Sequence, residues 1–280
     1  MTEHAERDLE ASLTTGDVRH EYLLADGLRL HLIRFPGDGR AAVCLHGVTG
    51  NAFAWSRVAE RLASSVRVVA LDFRGHGDSQ WSRSGAYATE DHAGDLETVV
   101  ASLGGTVDLI GSSWGALVAI AFTTRHPELV GRLVVVDVEA SFEQSETDLF
   151  PRPHSFDSHV EAEAFERSGN PHAPGDMIRL MAATSTRPGP GGTLVPKHDP
   201  YFFERWPFRN DDRWGELSTL APPVLYVHAG SSFVRRDVME RMAERTPNAS
   251  LVELPDTTHV APVDNPEGLA DVLAPFLADA

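Results

Sequence analysis

One cysteine, Cys44, stands in 280 residues, which excludes an internal disulfide and any zinc site built on paired cysteines. Positive charge is scarce: 24 Lys and Arg face 41 Asp and Glu, a net charge of −17. No basic cluster interrupts that balance, so nucleic acid is excluded as a partner and an anionic membrane is disfavoured, because phosphates demand Lys and Arg. No run of about 18 apolar residues occurs that would span a bilayer. The first fifteen residues, MTEHAERDLEASLTT, are acidic and polar where a secretory signal has a basic start and an apolar stretch. A cytoplasmic protein is expected. There is no HExxH motif, internal repeat or low-complexity tract, and no cofactor or metal is expected.

What the chain does have is apolar material enough for one large core, at 42% hydrophobic and 23% charged residues. EYLLADGLRLHLIRF (21 to 35) holds two alternating segments around Asp26-Gly27, a dipeptide suited to a hairpin turn. After it the apolar runs become short and nearly continuous: AAVCLHG (41 to 47), VRVVALDF (66 to 73), VDLIGS (107 to 112), LVVVDV (133 to 138), PVLYVHAG (223 to 230) and SLVELPD (250 to 256). Such runs suit strands buried on both faces. Segments with helical spacing lie between them, at 53 to 63, 89 to 103, 114 to 126, 235 to 246 and 266 to 278. The alternation predicts a doubly wound, mostly parallel α/β sheet.

The rhythm breaks once. Residues 140–215 lack a strong strand and read as an insertion after the sixth strand, a candidate helical cap or lid, while 1–139 and 216–280 form the core. FDSHVEAEAFERSG and PGDMIRLMAATS are expected as short helices there, and RPGPGGTLVPKHDP as a loop. An insertion at this place lies over the carboxyl ends of the strands, where ligands bind in such sheets.

The most informative segment is VDLIGSSWGALVA, in which a buried strand runs through Gly111-Ser112-Ser113-Trp114-Gly115 into a helix. The two glycines remove side chains that would clash in so sharp a turn, and the turn presents the central hydroxyl at a helix N-terminus. Ser113 is therefore the candidate nucleophile. Four motifs, LHGVTGN (45 to 51), LDFRGHGDS (71 to 79), GSSWG (111 to 115) and LPDTTHVAPVDNPE (254 to 267), each at a strand end, together resemble the α/β-hydrolase family. A serine at the elbow disfavours the dehalogenase and epoxide hydrolase activities of that fold, which use aspartate there.

A serine hydroxyl needs a base within hydrogen-bond reach. The resemblance points to His259, after the last strand and before the last helix. His46 and His76 are read as loop-shaping residues, and His154, His159, His172 and His198 of the insertion are not assigned to a metal. Where the family usually carries its acid, after PVLYVHAG, this chain has Gly230-Ser231-Ser232-Phe233, and Asp237 falls within a helix that points away. A subset of the family takes the acid from the end of the preceding strand, which here offers Asp137, with Glu139 in reserve two positions on. The acid fixes the imidazole tautomer and stabilises its cation. Oxyanion donors are implied at the backbone N–H groups of Trp114 and Val48, with Thr49 the neighbour if the register shifts by one. Arg74, Asp78 and Ser79 are read as shaping their own loop.

The expected activity is a serine hydrolase cleaving a carboxylic ester, lactone, thioester or amide of a small molecule, in a monomer or homodimer. The HGVTGN and RGHG segments, the aspartate after the sixth strand and the SS stretch lacking the usual acid resemble hydrolases of the acetamidomethylene-succinate type. A dicarboxylate would need a cation near the pocket, for which Arg187, Lys197, Arg205 and Arg209 are candidates. Phe53, Trp55, Trp114, Phe202, Phe203 and Trp206 are candidates for an apolar lining. Carbon–carbon hydrolysis of ring-cleavage diketones and ligand binding on a hydrolase scaffold are the alternatives.

Overall fold

The computed structural model describes residues 18–141 and 153–278; the acidic amino-terminal stretch and residues 142–152 of the expected insertion lie outside them. Strands β1 (Arg19–Ala25) and β2 (Leu28–Arg34) form the antiparallel hairpin expected around Asp26-Gly27. Both turn residues have positive φ, 47° and 74°, the backbone of a tight turn whose twist matches its strands.

Strand and helix then alternate: β3 (Arg40–Leu45), α1 (Ser56–Leu62), β4 (Val66–Leu71), α2 (Thr89–Leu103), β5 (Val107–Ser112), α3 (Trp114–Arg125) and β6 (Val130–Val136). An excursion follows, with α4 (His159–Gly169), α5 (Gly175–Thr184), β7 (Thr186–Pro188), β8 (Leu194–Pro196), α6 (Tyr201–Glu204) and α7 (Trp214–Leu217). The chain returns through β9 (Val224–Ala229), α8 (Arg236–Arg245), β10 (Ala249–Leu254), α9 (Ala261–Asp264) and α10 (Pro266–Ala278).

Eight strands make one sheet in the order β1-β2-β4-β3-β5-β6-β9-β10, parallel from β4 onward. Alternate residues divide the core in two. Val43, Leu45, Leu109, Leu133 and Val135 pack on the side of α2, α3 and α8, whereas Ala42, Cys44, Ile110, Val134 and Val136 pack on the side of α1, α5 and α10. The expected doubly wound sheet is thus present, and every active-site candidate sits at a strand's carboxyl end.

Two expectations need correction. RPGPGGTLVPKHDP is not all loop: β7 and β8 pair antiparallel, Arg187 opposite Val195, closed by a turn with Gly191 and Gly192 at φ 69° and 85°. Three-residue strands are too short to show alternation, and the prolines sit at strand ends where no ladder bond is lost. SLVELPD is not buried on both faces. As the edge strand β10, it leaves Ser250, Val252 and Glu253 exposed.

Arg74 does shape its loop. From 2% exposure it grips Asp95 with two bonds, Nε to Oδ2 at 2.7 Å and Nη2 to Oδ1 at 2.6 Å. Burial still holds the Asp95 carboxyl above its ordinary range, against the pull of Arg74. Removing one partner of a buried pair leaves the other charge uncompensated, so Asp95→Ala is expected to cost about 3–5 kcal/mol, read as a lower urea midpoint at unchanged slope.

Candidate active site

The sharp turn after β5 follows from its glycines. A Cβ on Gly115 would lie 2.4 Å from the Leu45 carbonyl oxygen, and one on Gly111 would lie 2.4 Å from Ala116 Cα, so neither position accepts a side chain. Between them Ser113 holds φ 54° and ψ −126°, a strained backbone of the kind found where a side chain is presented for chemistry.

The Ser113 hydroxyl donates to His259 Nε2 at 2.8 Å, and His259 Nδ1–H donates to Asp137 Oδ2 at 2.7 Å. Three strand ends converge here: β5 supplies the serine, the residue after β6 the aspartate, and the loop after β10 the histidine. Asp137 is fully buried, and its backbone N–H donates to Val227 O at 2.8 Å. Its carboxylate accepts two further bonds, from Ala229 N–H at 2.9 Å on Oδ1 and from the Ser232 hydroxyl at 2.5 Å on Oδ2. A buried carboxylate with both oxygens occupied has its direction fixed.

Glu139 does not share this geometry. β6 ends at Val136 and Asp137 turns to φ 49°, which breaks the period of two that would have aligned them. Glu139 Oε1 instead accepts from Arg235 N–H at 3.2 Å and faces Arg235 Nε at 3.5 Å. At the position of the missing acid, the Phe233 ring lies 4.3 Å from the His259 ring, centroid to centroid. Ser232 is the residue that sequence reasoning missed. It sits in the Gly230-Ser231-Ser232-Phe233 stretch that lacks the family's usual acid, and it donates to the Asp137 carboxylate.

The loop after β3 is held from behind. His46 donates from Nδ1 to Gly47 O at 2.7 Å and accepts the Phe73 N–H at 3.1 Å on Nε2, which confirms it as a loop-shaping residue. A Cβ on Gly47 would lie 3.1 Å from Ser113 Cβ, so Val48, next in this loop, stands close to the serine. Asp72 anchors the following turn: its carboxylate accepts from His31 Nδ1, from Ala52 N–H at 2.6 Å and from Asp78 N–H at 2.9 Å. Burial raises the Asp72 carboxyl, but the His31 and Asp78 bonds more than offset this and leave it below its ordinary range. Among the described residues His31, Asp72 and Asp78 are the one group spaced to hold a metal ion; Asp72 Oδ1 and Oδ2 are already used in these bonds.

Beneath the loop, His76 and His92 are buried beside Phe73 and Trp114, the His92 and Trp114 rings 4.4 Å apart. Burial holds both imidazoles well below their ordinary range, helped by nearby positive groups such as Arg74 beside His92. Below about pH 6.5 the unfolded chain takes up protons that the folded chain refuses. Stability is therefore full above that pH and falls as the pH drops toward the depressed folded values. His92→Phe is expected to flatten the acid limb of a stability-versus-pH curve by up to about 1.4 kcal/mol per pH unit, measured by urea unfolding between pH 5 and pH 7.

The serine and histidine open on a cavity of about 700 Å³. Trp55 and Trp206 line it as expected, joined by Phe165, Phe208 and Phe233; Phe53, Trp114, Phe202 and Phe203 do not. Trp114 is drawn into the core, its Nε1–H donating to Thr89 Oγ at 2.9 Å. None of the four cations put forward for a dicarboxylate lines the cavity. Lys197 pairs with Asp78 at 3.0 Å, Arg187 covers the Trp81 ring and Arg205 the Tyr201 ring.

A strand, a strained elbow serine and a helix, with a histidine from the last loop hydrogen-bonded to it across a parallel sheet, define an α/β hydrolase. Residues 42–272 match the alpha/beta hydrolase family, and the chain belongs to it. The chain is similar to the 2-(acetamidomethylene)succinate hydrolase of Mesorhizobium japonicum, 25% identical over 252 residues covering 88% of this chain and 90% of the relative. It is 28% identical over 260 residues to the N-formylmaleamate deformylase of Pseudomonas putida, covering 90% and 94% of the two chains. A crystal structure of a Mycobacterium tuberculosis esterase superimposes with a TM-score of 0.81 over 99% of both chains at 24% identity, a likeness of fold. Among the described residues no helix is long and apolar enough to cross a membrane.

Proposed function

We propose that this enzyme is a serine hydrolase that cleaves a carboxylic ester, lactone, thioester or amide of a small molecule through an acyl-enzyme. The observation that carries the reading is the unbroken hydrogen-bond chain Ser113–His259–Asp137 at the floor of the cavity. A deformylase and an esterase among the similar proteins support acyl cleavage.

In this reading His259 Nε2 takes the Ser113 proton as the hydroxyl oxygen attacks the substrate carbonyl. Asp137 stabilises the imidazolium that forms. Charge on the carbonyl oxygen is received by the backbone N–H groups of Val48 and Trp114, the second at the start of α3, where unpaired N–H groups favour an anion. His259 then gives the proton to the leaving group. A water deprotonated by the same imidazole attacks the acyl-enzyme, and the serine is restored. The excursion between β6 and β9 acts as the lid, since Phe165, Met181, Trp206 and Phe208 close the cavity from that side.

Treatment with a fluorophosphonate tests this by intact mass. One adduct per chain is expected, absent in Ser113→Ala; a folded protein that stays unlabelled, or one labelled equally in the variant, overturns the assignment.

A further inference from the structure

Two donors meet on one oxygen of the Asp137 carboxylate. An ionised carboxylate only accepts, so the Ser232 hydroxyl donates to Oδ2 at 2.5 Å, while one of its own lone pairs receives the Val234 N–H at 3.1 Å. The same Oδ2 receives His259 Nδ1–H at 2.7 Å, and Ala229 N–H occupies Oδ1. Ser232 therefore shares with the imidazole the oxygen that faces it.

The loop carrying Ser232 is braced to the base as well as to the acid. Ser231 N–H donates to Thr257 O at 2.9 Å, two residues before His259, and Gly230 N–H donates to Leu254 O at 2.8 Å. Ser232 N–H closes back on Ala229 O at 3.1 Å. These backbone bonds hold the hydroxyl in place whatever side chain stands at 232. A donor on a carboxylate oxygen draws off charge that would otherwise act on a second donor there. A protonated imidazole depends on that charge more than a neutral one, because its bond to the carboxylate joins two ions.

Resting on the acyl-transfer reading, we propose that Ser232 is a positioning residue of the catalytic machinery, which fixes the direction of Asp137 and limits how firmly its carboxylate holds the protonated His259. The hydroxyl keeps the base free to accept the Ser113 proton at a lower pH than the Asp137–His259 pair would allow by itself. Ionisable groups on the neighbouring elements are Glu139 after β6, paired with Arg235, and Glu166 of α4, on the cavity. His228 of β9 donates from Nε2 to Val234 O at 3.1 Å, and Asp264 of α9 accepts the Thr258 N–H at 2.8 Å. Ser232→Ala removes none of these charges, so a changed pH response in that variant traces to the hydroxyl.

The second-order rate of fluorophosphonate labelling between about pH 5 and pH 9 tests this, since it reads the free enzyme's base without the natural substrate. Ser232→Ala is expected to move the acid limb up by about half a pH unit, with the plateau rate within about tenfold of the parent. Ser232→Thr keeps the hydroxyl and is expected to return the limb to the parent position. An Ala variant slowed equally at every pH, as a residue that only holds the loop would give, overturns the inference and leaves acyl transfer standing. So does a limb that moves to lower pH, or a Thr variant that tracks the Ala variant. A folded parent enzyme left unlabelled at every pH overturns acyl transfer and the inference with it.

Discussion

Asp137→Asn is expected to lower kcat/KM on any ester substrate by about ten-thousandfold, the scale set when a buried acid that orders a catalytic imidazole becomes an amide. The reason lies in donors. Asp137 accepts from His259 Nδ1, Ala229 N–H and Ser232 Oγ, and an asparagine presents an NH₂ that must face one of these three. If it faces His259, the imidazole is driven to the tautomer with Nε2–H, which cannot accept the Ser113 proton. Glu139→Gln is expected to change the rate by less than about tenfold, since Glu139 bonds Arg235 and not the imidazole. Steady-state kinetics of the two variants side by side check this. A larger loss in Glu139→Gln than in Asp137→Asn would move the acid to Glu139.

The second large effect is non-additivity. Ser113→Ala and His259→Ala are each expected to reduce turnover by about a millionfold, and the double variant to be no slower than either. The 2.8 Å bond between them makes one functional unit: without the base the hydroxyl is not activated, and without the hydroxyl the base has nothing to activate. What activity remains would come from the Val48 and Trp114 amides and from substrate binding, which neither substitution touches. Pre-steady-state measurement of p-nitrophenol release reads this directly; losses that multiply in the double variant would contradict a shared step.

The sheet was legible because its signals are local. VDLIGS and LVVVDV are short apolar runs, and the elbow glycines stand at fixed spacing, so Ser113 followed from sequence alone. Phe233 stands where the family's usual carboxylate does, which makes Asp137 the candidate acid by subtraction. Choosing Asp137 over Glu139 was a matter of backbone, since a positive φ at the strand's end decides which carboxylate turns inward. Ser232 carried no local signal, because its bond to Asp137 arises from convergence of segments far apart in the chain. The β7–β8 hairpin was missed for a different reason. Six residues of pairing are too few to leave a period among prolines and glycines.

The Phe233 ring beside His259 has a consequence for how such an enzyme is redesigned. In a hydrolase whose acid lies after β9, that loop carries the carboxylate that orients the imidazole, and altering it puts turnover at risk. With Asp137 as the proposed acid, the loop from Ser231 to Val234 contributes the Ser232 hydroxyl that donates to the Asp137 carboxylate, while Phe233, 43% exposed, forms cavity wall. Mutational libraries confined to Ser231, Phe233 and Val234 therefore reshape the substrate wall within a ring's width of the imidazole while leaving Ser113, His259, Asp137 and Ser232 untouched, a separation of selectivity from reactivity that the usual layout does not offer.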